Sequence, residues 1–349
     1  MEVFNKIKNS IEKHSTAYLI GSCLFLGLYF LKRYFNGPKA IPKSLKGKTV
    51  IITGASDGIG FVTAKELLNQ GANVVFACRN EEKTMKIISS LDESSRNRSR
   101  FMKLNLSSFQ SVKEFVLDVK NNYSTIDILI NNAGVLNKEF KLTEDNIEET
   151  LQANTLAPMY ITQELLTLIE KTKGRVINVS SIAHRKFEFK KEMIKDWKKP
   201  EWNYYKDNYN WEVNYRLSKL GNIYFSQYLA EYIESFGLEV SVYSLHPGVI
   251  PTNLFTNLGF YYILLPFYPL LCIFLKSVWY GAQTTLYLCY EDKSKLINGE
   301  YYADCDVSKL SPHAIKENKD ARNAFIEWSR EEINSKGKGK VKLDLDFKY

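Results

Sequence analysis

The sequence predicts an α/β protein, a doubly wound parallel sheet forming one domain behind an N-terminal transmembrane anchor. Three observations predict it. From Lys48 onward, short continuous apolar runs alternate with stretches of helical spacing. The first of these runs leads into the glycine-rich "TGASDGIG" and then an amphipathic stretch. Ahead of all of them lies an uncharged segment of 15 residues, Ala17 to Leu31. Strands that are apolar throughout belong to parallel sheets covered by helices on both faces.

In chain order, residues 1–16 read as a tail, 17–35 as the anchor, 36–46 as a linker, 47–310 as the main α/β domain and 311–349 as a C-terminal helix with a basic tail. The uncharged run is shorter than the roughly 20 residues of a membrane span. Ser15 and Thr16 before it, and Lys32, Arg33, Tyr34 and Phe35 after it, make up the length if the two cations snorkel to the headgroups. A cleaved signal peptide is the rival reading, weakened by "KRYF" where a small-residue cleavage site should lie. The basic residues Lys32, Arg33, Lys39, Lys43, Lys46 and Lys48 follow the segment, whereas only Lys6, Lys8 and Lys13 precede it. This bias leaves the domain in the cytosol, on a membrane such as the endoplasmic reticulum.

The strands expected next are "TVIIT", "NVVFA", "RFMKLNL", "IDILINNAG", "GRVINVSS" and "EVSVYSLHPG". Helical patterns separate them, the longest being "NYRLSKLGNIYFSQYLAEYIESFG". Two segments interrupt the alternation. Arg185 to Trp211 is rich in Lys, Trp and Tyr and lacks periodicity. Leu258 to Leu275 has eighteen uncharged residues, and its Pro266 and Pro269 argue against a regular helix. By composition alone this second segment can be a buried core stretch, a second span or an apolar surface cover.

Bulk properties narrow the partners. A chain of 349 residues with 45% hydrophobic residues can bury a large core. The net charge of +8 comes from scattered lysines, not from a basic stripe interleaved with stacking aromatics, so no nucleic-acid partner is expected. Cys23, Cys78, Cys272, Cys289 and Cys305 have no metal-ligand spacing and fit free thiols in a reducing compartment. The sequons at Asn97, Asn105, Asn122 and Asn178 read as chance in a cytosolic domain.

Gly54, Gly58 and Gly60 sit between a strand and a helix, where a dinucleotide's pyrophosphate would rest on the helix N-terminus. Their spacing is G-x-x-x-G-x-G. Together with "NNAG" at Asn131 to Gly134 and "YRLSK" at Tyr215 to Lys219, this Rossmann-type pattern resembles the short-chain dehydrogenase/reductase family from Lys48 to about Asp306. "ACRN", "NVSSIAH", "HPGVIPTNL", "GAQTTLYL" and "GEYYADC" resemble its retinol dehydrogenase and WW-domain oxidoreductase branch, and the chain carries no WW module.

Tyr215 and Lys219 stand one helical turn apart on one face. A phenol near pKa 10 is too basic for work at neutral pH, and a neighbouring ammonium would lower it. The resemblance implies Tyr215 as acid/base and Lys219 as its electrostatic partner and a ligand of the nicotinamide ribose. It also implies Ser181, rather than Ser180, as the group that polarises the carbonyl, and Asn154 as holder of a water leading to Lys219. Cofactor contacts are expected from Gly54, Ser56, Asp57, Gly58, Ile59 and Gly60 in the turn. Asn105 and Leu106 follow the third strand; Asn132, Ala133 and Gly134 follow the fourth. Pro247, Gly248, Val249 and Thr252 should run beside the nicotinamide. Because the family places its substrate lid directly after them, the resemblance implies that Leu258 to Leu275 is an apolar lid over the substrate, touching the bilayer or not.

Enzymes that use NAD place a carboxylate about 20 residues beyond the glycines. Here Arg79 occupies that place, and a guanidinium suits a 2′-phosphate, so NADP(H) is the expected cofactor. Two departures count against a simple match: Asn105 replaces a frequent Asp, and Asp57 is acidic where some NADP enzymes are basic. The function expected is a membrane-anchored, NADP(H)-dependent oxidoreductase that interconverts a lipophilic alcohol, retinoid-like or steroid-like, and its aldehyde or ketone. Reduction of another carbonyl or of a conjugated double bond, as in protochlorophyllide reductases, is the enzymatic alternative. A catalytically idle dinucleotide-binding scaffold is the other, and whether the chain forms a homodimer stays open.

Overall fold

The apolar runs become the strands of one sheet, and the period of two in each strand divides its side chains between two core layers. In a computed structural model, residues 1, 4–6, 15–186, 209–250, 275–315, 318–337 and 341–343 are described. The strands are β1 (Thr49–Thr53), β2 (Asn73–Cys78), β3 (Ser99–Lys103), β4 (Ile128–Asn131), β5 (Arg175–Val179), β6 (Ser241–Leu245), β7 (Tyr301–Ala303) and β8 (Asp306–Val307). Their order across the sheet is β3-β2-β1-β4-β5-β6-β7-β8, parallel except for the antiparallel β7–β8 edge. Val50 of β1 is in register with Val74 of β2 on one side and Ile128 of β4 on the other. The chain therefore reverses its direction of winding between β1 and β4, and a crevice opens there beyond the strand ends.

Val50 and Ile52 enter one layer while Ile51 enters the other. The first layer is closed by α2 (Gly58–Asn69), α3 (Glu81–Ser89) and α9 (Val278–Tyr290). α4 (Glu93–Asn97) is a short turn before β3. The second layer is closed by α5 (Phe109–Asn122), α7 (Ala157–Glu170) and α8 (Trp211–Ser235). α7 continues α6 (Glu149–Leu151) through a π-helical turn, Gln152–Leu156. The C-terminal helix α10 (Lys319–Lys336) lies on α8, with Phe325 seated so closely that a Cβ on Gly221 would meet its ring at 2.5 Å. A bidentate Arg322–Glu231 pair at 3.0 and 2.6 Å joins the same two helices.

At the N-terminus, α1 (Ser15–Asn36) covers the segment expected to span a bilayer. Among the described residues, however, no helix is long and apolar enough to cross a membrane. The uncharged run of 15 residues rises only about 22 Å, against a hydrocarbon core of roughly 30 Å. Lys32, expected to snorkel and extend it, donates instead to the Leu275 carbonyl. Leu24, Phe25, Tyr29 and Phe30 of α1 are each more than half exposed. Residues 37–46 behave as a strap rather than a loose linker. The Ala40 N–H donates to Gln283 Oε1 at 3.0 Å, and Lys43 pairs with Glu291 and Asp292 at 2.8 and 3.0 Å.

Candidate active site

The cradle starts where β1 ends. Gly54 takes a φ of +69°, a region side chains disfavour, and the turn then delivers Asp57 as the cap of α2, its Oδ1 accepting from Gly58 N at 2.7 Å. Thr53 Oγ1 accepts from both Asn132 N and Ala133 N at 3.0 Å, and Asn132 Nδ2 donates to the Thr53 carbonyl at 2.9 Å. The "NNAG" turn is thereby bolted to the glycine turn. A Cβ on Gly60 would lie 2.3 Å from Gly54 O and 2.5 Å from Asn132 Nδ2, so only glycine fits. The result is a bare backbone surface opening on the positive end of a helix, which suits a pyrophosphate. A dinucleotide fits the residues present.

A cavity of about 760 Å³ extends from this cradle in both directions. One arm is lined by Ser56, Asp57, Arg79, Asn80 and Lys83, and by Asn105, Leu106 and Ser107 beside them. Arg79 is exposed at the end of β2. Asn105 Oδ1 accepts from Ser107 N at 3.2 Å, so the Asn that replaces the frequent Asp holds its own loop. Asn80, Lys83 and Ser107 were not foreseen as site residues. The only advance signal for the first two was an Asn three residues before a Lys at a helix start, the spacing of a cap.

The other arm ends at Gly134, Val135, Tyr215, Lys219, Pro247 and Ile250. Asn210 caps α8 by accepting from Glu212 N and Val213 N, which sets Tyr215 and Lys219 on the first turns facing β5. Lys219 is buried, its Nζ donating to the Val179 carbonyl at 3.0 Å and standing 5.8 Å from the centre of the Tyr215 ring. Ser180 Oγ donates to the Lys219 carbonyl at 2.6 Å, whereas Ser181 turns its hydroxyl towards Tyr215 and accepts from Ala183 N at 3.2 Å. Asn154 lies in the π turn. Its Oδ1 accepts from Val135 N at 2.7 Å, and its Nδ2 donates to Val135 O and Ser218 Oγ at 2.9 and 3.0 Å. A Cβ on Gly134 would stand 3.2 Å from Lys219 Nζ and 3.6 Å from Asn154 Oδ1, so both polar atoms face the space that this glycine leaves.

The electrostatics depart from the expected pairing. Burial pushes the Tyr215 phenol above its ordinary value, while the Ser181 hydroxyl pulls the other way. Burial also lowers Lys219, to about 8. Tyr215 thus keeps its proton at neutral pH, as a donor must, and Lys219 is the group that titrates in the working range. For carbonyl reduction, kcat/KM for the cofactor is expected to fall as pH rises through about 8, because deprotonation removes the ammonium beside Tyr215. Oxidation, which needs the Tyr215 phenolate as base, loses the same electrostatic support when Lys219 loses its charge. Rates measured from about pH 6 to about pH 10 check this; a reduction profile without a falling limb near that value would take the charge of Lys219 out of the chemistry.

Beyond β6, Gly248 has a φ of +93°, and a Cβ there would meet Lys276 Cδ at 2.6 Å. The Val249 carbonyl accepts from Lys276 N at 2.9 Å, and Pro247 lines the cavity. Thr252, residues 187–208 of the aromatic insertion and residues 258–274 of the expected lid lie outside the described residues. Ile250 and Val278 join the cavity wall without having been foreseen.

The family model for short chain dehydrogenases matches residues 48–191. Retinol dehydrogenase 14 of Mus musculus is 31% identical over 323 residues, covering 87% of this chain and 93% of that protein. Retinol dehydrogenase 12 of Bos taurus is 34% identical over 283 residues, 80% of this chain and 85% of the relative. The WW domain-containing oxidoreductase of Drosophila melanogaster is 36% identical over 281 residues, and the chain spans 66% of its length. A crystal structure of an uncharacterised protein from Mycobacterium paratuberculosis aligns with a TM-score of 0.67 at 26% identity, over 88% of this chain and 99% of that one.

Proposed function

The chain belongs to the short-chain dehydrogenase/reductase family, in its retinol dehydrogenase-like branch, and on that premise we propose that it is an NADP(H)-dependent oxidoreductase interconverting a lipophilic alcohol and its aldehyde or ketone. The observation that carries the reading is one cavity with Arg79 and the glycine turn along one arm and Tyr215 and Lys219 at the other. The bound nicotinamide supplies or accepts the hydride. In reduction Tyr215 gives its phenolic proton to the carbonyl oxygen, and in oxidation it takes the proton from the alcohol. Ser181, whose hydroxyl lies on the Tyr215 side of the site, would hold that oxygen in place. A charged Lys219 stabilises the phenolate, which eases proton loss from Tyr215 in reduction and supports the phenolate that accepts the alcohol's proton in oxidation.

The absence of a carboxylate at the end of β2, where Arg79 stands, supports NADP(H) over NAD(H). The names of the relatives support retinoid-like substrates, and the exposed apolar residues of α1 support attachment to a membrane, with the basic flank and the domain on its cytosolic side. One experiment tests the whole: NADPH and NADH oxidation by the membrane fraction across retinal, steroid ketones, long fatty aldehydes and small sugars, repeated after removal of the residues before Asn36. NADPH-linked turnover of the long apolar carbonyls is expected, with the shortened protein released from the membrane. Cofactor binding without turnover on any of them would identify a scaffold instead.

A further inference from the structure

We infer that Lys83, on the first turn of α3, is the second cation of the site for the cofactor's 2′-phosphate and sets the preference for NADP(H) by neutralising Asp57. The inference rests on the NADP(H) reading above and deepens it.

Asp57 poses a difficulty for that reading. A carboxylate in the glycine turn, at the wall of the arm that Arg79 also lines, repels a phosphate and suits free ribose hydroxyls. By itself it would favour NAD(H). The fold supplies the answer from 26 residues further along the chain. Lys83 Nζ meets Asp57 Oδ2 at 2.6 Å, while Asp57 Oδ1 remains on Gly58 N. Both Lys83 and Arg79 line the cavity, with Asn80 between them.

The placement of Lys83 is built, not incidental. Asn80 caps α3, its Oδ1 accepting from the Lys83 backbone N–H at 2.8 Å, so the first turn of the helix is held against the end of β2. The two nearby carboxylates of that turn, Glu81 and Glu82, are exposed, and Glu82 pairs with Lys86 at 2.6 Å. Lys83 and Asp57 are themselves about half exposed, at 48% and 54%, so their pair contributes little to stability. Its effect is on the local charge. Asp57, Arg79 and Lys83 sum to one positive charge, and without Lys83 the sum is zero. An ammonium has three donors, so Lys83 can keep Asp57 while it takes a phosphate oxygen.

The test is fluorescence titration of NADPH and NADH, which needs no turnover, on wild type, Lys83→Gln, Asp57→Asn, the double variant and Arg79→Glu. Lys83→Gln is expected to weaken NADPH roughly tenfold, the scale of one exposed charge-assisted contact, and to leave NADH unchanged or tighter. Adding Asp57→Asn should recover part of that loss, because the uncovered carboxylate is then removed. If Lys83→Gln weakens both cofactors alike, or neither, Lys83 is not the discriminator. The two readings fail separately. A wild type that prefers NADH overturns the NADP(H) assignment itself. A wild type that prefers NADPH, loses that preference in Arg79→Glu and keeps it in Lys83→Gln overturns only the role of Lys83.

Discussion

Replacing Tyr215 by Phe is expected to lower kcat by roughly 10²–10⁴-fold, the usual worth of a positioned acid or base, while leaving NADPH affinity nearly unchanged. The geometry separates the two effects. Tyr215 stands at the end of the cavity away from Arg79, and a phenyl ring in its place fills the same volume. The substitution deletes one hydroxyl, the one that Ser181 contacts and that burial keeps protonated. Lys219 keeps its bond to the Val179 carbonyl and Asn154 keeps its hold on Val135, so the cradle is untouched. Single-turnover NADPH oxidation set beside a binding titration reads the split directly. A Phe variant with near wild-type turnover would take Tyr215 out of the proton transfer and leave the carbonyl to be protonated by water.

Much of this site could be read in advance because its signals are local. The glycine turn, "NNAG" and the Tyr-to-Lys spacing each depend on a few consecutive residues, and the alternation of apolar runs with helical patterns carries the order of the sheet. What escaped depends on distant contacts. The pair between Asp57 and Lys83 needs α3 to pack against the end of β2, and nothing near Asp57 in the chain announces it. The charge of Lys219 is set by burial under β5 rather than by its neighbour one turn away, so the spacing located the pair but not which member titrates. Among the described residues no helix is long and apolar enough to cross a membrane, and Lys32 of α1 bonds to the Leu275 carbonyl, a contact across 243 residues that its neighbours in the chain do not announce.

The π turn around Asn154 is an intermediate case. Ala157 N–H bonds Gln152 O five residues back, and Pro158 has no N–H to offer the Asn154 carbonyl. The widened turn therefore follows from a proline visible in "LQANTLAP", although its consequence did not. The turn carries Asn154 to Val135 and to the space above Gly134.

Gly60→Ala is expected to weaken NADPH binding at least roughly 100-fold, about 2.7 kcal/mol, for a steric reason that can be isolated. The added Cβ would lie 2.3 Å from the Gly54 carbonyl oxygen and 2.5 Å from Asn132 Nδ2, well inside contact distance for both. One contact is backbone, and the other belongs to the side chain that locks "NNAG" to Thr53. Relief must therefore move the turn or break the lock, and either displaces the N–H groups at the start of α2. Backbone strain is not the cause, since the φ of Gly60 is not positive. Gly237 supplies the contrast: its φ is +64°, and an added Cβ would meet nothing within 4 Å. Gly237→Ala should cost about 1–2 kcal/mol of stability from left-handed strain and leave cofactor affinity alone. Thermal unfolding and NADPH titration of the two variants should then diverge, one losing affinity beyond any loss of stability and the other losing stability alone. Wild-type affinity in Gly60→Ala would show that the turn gives way without moving the bound pyrophosphate, and would remove close backbone approach as the reason for glycine at this position.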